Sequence, residues 1–133
     1  KHLASLEAGY AQAGVCAHCV PFIEDMAGAY AWADLVICRA GALTIAELSA
    51  AGVASILVPF PHAVDDHQTG NARFLATAGA AILLPQTELT AEKLSLLNRM
   101  DRSQLQQMAQ KARELARPDA TEHVAKTCME LAK

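Results

Sequence analysis

The residues best suited to chemistry fall in one short stretch, Arg39-Ala40-Gly41-Ala42-Leu43-Thr44, with Glu47 shortly after it. This is the pattern of an anion cradle. A turn that opens a helix leaves the first backbone N–H groups without intrahelical partners, and the aligned peptide dipoles put the positive end of the helix there. Gly41 lets the backbone approach an anion closely. The amides of Ala42, Leu43 and Thr44 face outward, and the Thr44 hydroxyl adds a donor. Three residues on, Glu47 falls on the same helix face, where its carboxylate can accept hydrogen bonds from a ribose diol. On pattern alone, a tight turn with a threonine near the helix start and a surface glutamate reads equally well.

A second cluster, His62-Ala63-Val64-Asp65-Asp66-His67-Gln68, is dense in groups that bind sugars or metals. A metal site needs His62, His67 and a carboxylate to converge, and their spacing matches no familiar ligand set. The bland alternative is a solvated loop with an aspartate near a helix start. Asn71 and Arg73 follow in that helix. Cys16-Ala17-His18-Cys19 has a C-x-x-C spacing, but a zinc site wants four ligands, usually as two such pairs. Cys38 and Cys128 stand alone, so reduced, buried thiols are the expectation for all four. There is no G-x-S-x-G elbow, Walker-type loop or G-x-G-x-x-G. No catalytic residue, metal or cofactor is therefore assigned.

The elements that must position these residues alternate. A helix with Leu3, Leu6 and Tyr10 on one face stops at Gly14, and an apolar run over Cys16 to Phe22 reads as a strand. Glu24-Asp25 starts a helix with Met26, Ala29, Tyr30 and Ala33 on one face. Leu35 to Cys38 is a second strand of the continuously apolar kind found in parallel sheets. Ala42 to Ala51 is a helix with Leu43, Ala46 and Leu48 inward and Gly52 closing it. Strand Ser55 to Val58, helix His67 to Ala78 and strand Ala81 to Leu84 repeat the cycle. Thr90 caps a short helix. A longer one runs from Ser103 to Ala116 with Leu105, Met108, Ala112 and Leu115 in a stripe. Asp119-x-x-Glu122 is a capping signature for the last helix, which carries Val124, Cys128 and Leu131. The expectation is an α/β fold: a Rossmann-like parallel sheet of about four strands with flanking helices. In such sheets ligands bind beyond the carboxyl ends of the strands. Phe22-Ile23, the Arg39 to Thr44 turn and the Pro61 to Gln68 loop all follow strands.

Composition agrees and excludes. With 133 residues the prior is one domain, and 53% hydrophobic against 19% charged residues leaves enough apolar material for a core. Twenty-eight alanines and only six aromatics point to close helix–sheet packing. The apolar runs are far shorter than the roughly 20 residues of a spanning helix, and no signal peptide is read. A net charge of −3 argues against nucleic acid as the main partner. Residues 1–87 hold only three cations, Lys1, Arg39 and Arg73, against seven acids, so an anion there must be met mostly by backbone amides.

Three ordered segments carry a resemblance: Phe22-Ile23-Glu24-Asp25-Met26, Cys38 through Glu47, and Pro59-Phe60-Pro61-His62 through His67-Gln68 with Asn71-Ala72. Together with Gly79-Ala80-Ala81 and Pro118 through Glu122, they resemble the family 28 glycosyltransferases that move N-acetylglucosamine (GlcNAc) from UDP-GlcNAc to lipid I, giving lipid II of peptidoglycan. The resemblance spans essentially the whole chain. It implies a two-domain GT-B enzyme whose C-terminal domain holds UDP-GlcNAc. It further implies that backbone atoms of Ile23, beside Phe22, receive the uracil. Ala42, Leu43 and Thr44, in the turn with Arg39 and Gly41, would hold the diphosphate, Glu47 the ribose, and Gln68 with His67 the GlcNAc. Some family members have Gln where His67 stands. The implied chain is a single donor-binding fragment, 1–133. It lacks the N-terminal domain that binds lipid I and touches the membrane, and the first strands of its own domain. The parent is expected as a peripheral protein on the cytoplasmic face of the bacterial inner membrane, and the fragment as soluble and inactive alone. The rivals are another nucleotide-sugar enzyme of the same fold, such as a UDP-GlcNAc epimerase or a different lipid glycosyltransferase, and a non-enzymatic α/β binding module.

Overall fold

The computed structural model describes residues 2–61, 66–97 and 99–132. In chain order these form α1 (Leu3–Gln12), α2 (Met26–Trp32), β1 (Val36–Cys38), α3 (Ala42–Ala51), β2 (Ser55–Leu57), α4 (His67–Thr77), β3 (Ala81–Leu83), α5 (Ala91–Leu97), α6 (Arg102–Glu114) and α7 (Ala120–Leu131), with a 3-10 turn at Gln86–Glu88. The strands pair in parallel in the order β1-β2-β3. Ile37 lies opposite Ile56, and Ile56 opposite Ile82.

Period-two alternation sorts the strands onto two faces. Leu57 joins a core with Ile45, Leu48, Ala72, Leu75 and Ala112, so α3, α4 and α6 share one side of the sheet. Ile56 faces the other way, into a smaller cluster with Val58 and Leu84 that draws Leu94 and Leu97 of α5 against it. That second side is thinly covered, and Ile37 on β1 is still 52% exposed.

The alanine-rich composition works at the α3–α6 contact. Ala112 is fully buried, and Gly52 closes α3 in the left-handed region at φ +67. A Cβ on Gly52 would lie 3.2 Å from the Arg113 Cβ, so a side chain there would be both strained and crowded.

Several sequence expectations need correction. The parallel sheet of about four strands stands, with three strands among the described residues, but the Cys16 to Phe22 run forms no strand. Its apolar side chains suit a strand, yet Val20 and Phe22 are exposed, and among the described residues no strand pairs with this run. A strand is defined by its neighbour, and propensity alone yields only irregular chain.

On α3 the inward face is Ile45, Leu48 and Ser49, while Leu43 is 80% exposed and Ala46 also faces outward. Leu43 sits in the first turn, beyond the end of the sheet it would have to cover. The Asp119 signature makes no side-chain cap. A full capping box forms instead at Asp101 and Gln104, through bonds of 2.8 and 2.9 Å. The buried-thiol reading suits Cys38 best. All four cysteines are free, Cys19 is half-buried, and Cys16 and Cys128 are exposed. The stripe Val124, Cys128 and Leu131 on α7 also faces outward.

Candidate functional site

The cradle begins where β1 ends. Gly41 is the residue before α3, with φ −63 and ψ 149, and it offers no side chain to cap the helix. The first intrahelical bond in this turn is Ile45 N to Gly41 O, at 3.0 Å. The amides of Ala42, Leu43 and Thr44 therefore precede any intrahelical acceptor and stand at the positive end of α3. Gly41's backbone angles suit any residue, and a Cβ there would meet only the Thr44 Oγ1, at 3.6 Å. Neither conformation nor packing within the chain demands a glycine, which fits a surface left bare for something that docks on it.

Side chains tie this turn to the neighbouring loops. The Arg39 Nη1 donates to the carbonyls of Val58 (3.2 Å) and Pro59 (3.1 Å), and its guanidinium lies 5.5 Å from the centre of the Phe60 ring. Asn71 on α4 donates to the Ala40 carbonyl at 3.0 Å. The Phe60 amide donates to the Gln68 Oε1 at 2.9 Å. This bond orients the Gln68 amide so that its Nε2, with no described partner, can donate elsewhere. Asp66 takes a left-handed conformation at φ 51, and Thr69 donates to its Oδ1 at 2.6 Å, which shapes the entry to α4. The chain thus knits the exits of β1 and β2 to the first two turns of α4.

Glu47 points toward α2. The Tyr30 hydroxyl donates to its Oε2 at 3.0 Å. Burial, then this hydrogen bond and the nearby negative charge, push the Tyr30 phenol from its usual 10.0 up to about 12. Burial alone pushes the Cys38 thiol up to about 11. Glu47 and Tyr30 line a groove of about 450 Å³ between α2 and α3, whose other walls are Met26, Ala27, Ala31, Ala50 and Ala51. A larger groove, about 760 Å³, runs along α1 past Leu6, Tyr10 and Val20. Its walls are mainly apolar and bring together no cluster of the polar groups singled out above.

The structure therefore brings Arg39, Gly41, Ala42, Leu43, Thr44 and Gln68 to the carboxyl edge of the sheet, with Glu47 one helical turn behind. His67 opens α4 beside Gln68. Phe22 and Ile23 are 76% and 43% exposed, and no described hydrogen bond ties them to this cluster. They precede α2, whose start is capped by Asp25 accepting from the Gly28 amide at 2.8 Å. The stretch His62 to Asp65 lies outside the described residues, and with it the His62 part of the metal reading. Among the described residues no three His, Cys, Asp or Glu side chains gather as a metal site would need, and no helix is long and apolar enough to cross a membrane.

Sequence reasoning missed two contacts. The sequence sets Tyr30 on one face of α2 with Met26, Ala29 and Ala33 but gives no hint of its partner on α3, and Asn71 reads only as a polar residue in a helix. The only signal for either was a single large or polar side chain among small ones. The direction of Arg39 was also illegible, since its contacts lie 19 and 20 residues away.

Residues 2–131 match the family described as glycosyltransferase family 28 C-terminal domain. A relative from Dechloromonas aromatica is 72% identical over the whole chain, and one from Azoarcus sp. is 66% identical over the whole chain. Both are named UDP-N-acetylglucosamine--N-acetylmuramyl-(pentapeptide) pyrophosphoryl-undecaprenol N-acetylglucosamine transferase. The crystal structure of MurG from Acinetobacter baumannii superposes with a TM-score of 0.90 at 49% identity, covering 98% of this chain and 39% of that one. The chain spans 38% of the length of the two relatives.

Proposed function

Since the chain belongs to the glycosyltransferase family 28 C-terminal domains, we propose that it is the donor-binding part of an inverting enzyme that moves GlcNAc from UDP-GlcNAc to lipid I, giving lipid II. The observation that carries this is the uncapped start of α3, where three consecutive amides and a bare Gly41 face the carboxyl edge of a parallel sheet. A diphosphate is the ligand such a helix start receives well. Ala42, Leu43 and Thr44 hold it in this reading, and Glu47 accepts from the ribose hydroxyls. Phe22 and Ile23 receive the uracil, and Gln68 with His67 meets the GlcNAc. Arg39 acts mainly by holding the exit of β2 against the turn.

In the reaction the acceptor hydroxyl attacks the anomeric carbon as the bond from that carbon to the β-phosphate oxygen breaks. The hydroxyl proton goes to a base outside this chain, and UDP leaves with the bonding electron pair. Negative charge grows on the β-phosphate as that bond opens. The fixed N–H dipoles at the start of α3 meet this charge without having to reorganise, which is the form of stabilisation that lowers a barrier most effectively. The lipid I site, the membrane contact at the cytoplasmic face and the first strands of this domain belong to the remainder of the parent protein in this reading.

Calorimetric or NMR titration with UDP, UDP-GlcNAc and UDP-glucose tests it. Binding of UDP, with UDP-GlcNAc preferred over UDP-glucose and that preference lost in Gln68→Ala, is the expected result. Absence of UDP binding by the folded chain refutes the donor site. Equal binding of both sugars points instead to a different nucleotide-sugar enzyme. The chain alone should transfer no GlcNAc to a lipid I analogue.

A further inference from the structure

We propose that Tyr30 is a positioning residue for donor binding, holding the Glu47 carboxylate in the orientation that receives the ribose diol. The inference rests on the donor-site reading above and deepens it. Glu47 sits on an outward-facing turn of α3, where an unrestrained glutamate has three side-chain torsions to distribute over several rotamers. Tyr30 has two, and its ring is packed against the main core from α2. Its hydroxyl donates to the Glu47 Oε2 at 3.0 Å across 17 residues of sequence. A rigid, half-buried donor thus holds one end of a flexible, exposed acceptor.

The lone-pair arithmetic leaves room for a ligand. A carboxylate offers about four acceptor sites on its two oxygens, of which Tyr30 takes one. Oε1 and the second lone pair of Oε2 remain for two vicinal hydroxyls. The phenol stays protonated, and so remains a donor, throughout the physiological range. The groove beside the pair is walled by Met26 and small alanines, which leaves the carboxylate reachable from that side.

A purely structural role, a clamp between α2 and α3, makes a different prediction, and one measurement separates them. UDP and 2′,3′-dideoxy-UDP are titrated against the chain and against Tyr30→Phe, which keeps the ring, and Glu47→Ala. The unmutated chain should bind UDP more tightly than the dideoxy nucleotide, and Glu47→Ala should erase that preference. Tyr30→Phe should weaken UDP roughly five- to tenfold, the orienting share of one charge-assisted hydrogen bond, and leave the dideoxy nucleotide within about twofold. In the Glu47→Ala background the same change should do nothing further to UDP binding.

The comparison is internal to each protein, so a loss of folded material lowers both nucleotides alike. As a check independent of any variant, the Tyr30 Cζ resonance of the unmutated chain should move with UDP and stay still with the dideoxy nucleotide. If Tyr30→Phe weakens both nucleotides equally, or neither, while Glu47→Ala behaves as stated, the positioning role is wrong and the donor site stands. If the unmutated chain does not discriminate between the nucleotides, the Glu47 assignment falls first and this inference with it.

Discussion

Replacing Arg39 with alanine decides whether this arginine is a strut or a ligand contact. Its Nη1 reaches two carbonyls, of Val58 and Pro59, at 3.2 and 3.1 Å. Both residues are buried, so neither carbonyl regains water freely once the donor is gone. One shared, charge-assisted donor is worth about 1.5–3 kcal/mol. The contact with the Phe60 ring adds about 0.5–1 kcal/mol at an exposed site. The alanine variant recovers roughly 1–2 kcal/mol of side-chain entropy that the ordered arginine had lost. The net cost is about 1.5 kcal/mol.

For a chain of this size that lowers Tm by roughly 5–8 °C. Thermal unfolding followed by circular dichroism, without any nucleotide, measures it. Arg39→Lys keeps the charge but not the planar fork and should fall between the two. Phe60→Leu removes the ring from beside the guanidinium, a contact worth about 0.5–1 kcal/mol. A Tm for Arg39→Ala within about 1 °C of the unmutated chain, accompanied by a large loss of UDP affinity, would falsify the strut and make Arg39 a direct ligand contact.

Two further outcomes follow from other parts of the fold. The folded state holds the protons of Tyr30 and Cys38 more tightly than the unfolded chain does, so stability is full below about pH 9 and declines as pH rises through about 11 and 12; denaturant titrations from pH 8 to 11.5 should show the decline, and Tyr30→Phe should shrink its upper part. Asp101→Ala removes a formed capping box and should cost about 1 kcal/mol, whereas Asp119→Ala, whose side chain caps nothing, should stay within about 0.5 kcal/mol. Equal losses at the two aspartates in chemical denaturation would show that the two helix starts do not differ as described.

Much of this molecule is local and therefore legible in the residue order. The strands Val36–Cys38, Ser55–Leu57 and Ala81–Leu83 were visible as short apolar runs between glycine and proline breaks. The turn before Ala42 declared itself through Gly41, Thr44 and the shortage of cations nearby, because a helix start carries its chemistry in consecutive residues. Leu105, Met108, Ala112 and Leu115 announced the inward stripe of α6 by spacing alone, and the structure buries or half-buries all four.

Tertiary structure decided what depends on a distant partner. The Cys16 to Phe22 run has strand-like residues but no strand beside it among the described residues, so pattern could not reveal that it stays irregular. Leu43 looked like a core residue until its position past the end of the sheet left it in the open. Asp119 and Asp101 carry similar capping signals, and only the local backbone and the side-chain rotamers chose which one closed. Arg39, Asn71 and Tyr30 act through groups 17 to 31 residues away. The amides that make the cradle belong to one segment, and the sequence shows them. The side chains that hold the cradle and orient its carboxylate meet only when α2, α3 and α4 pack together at the edge of the sheet.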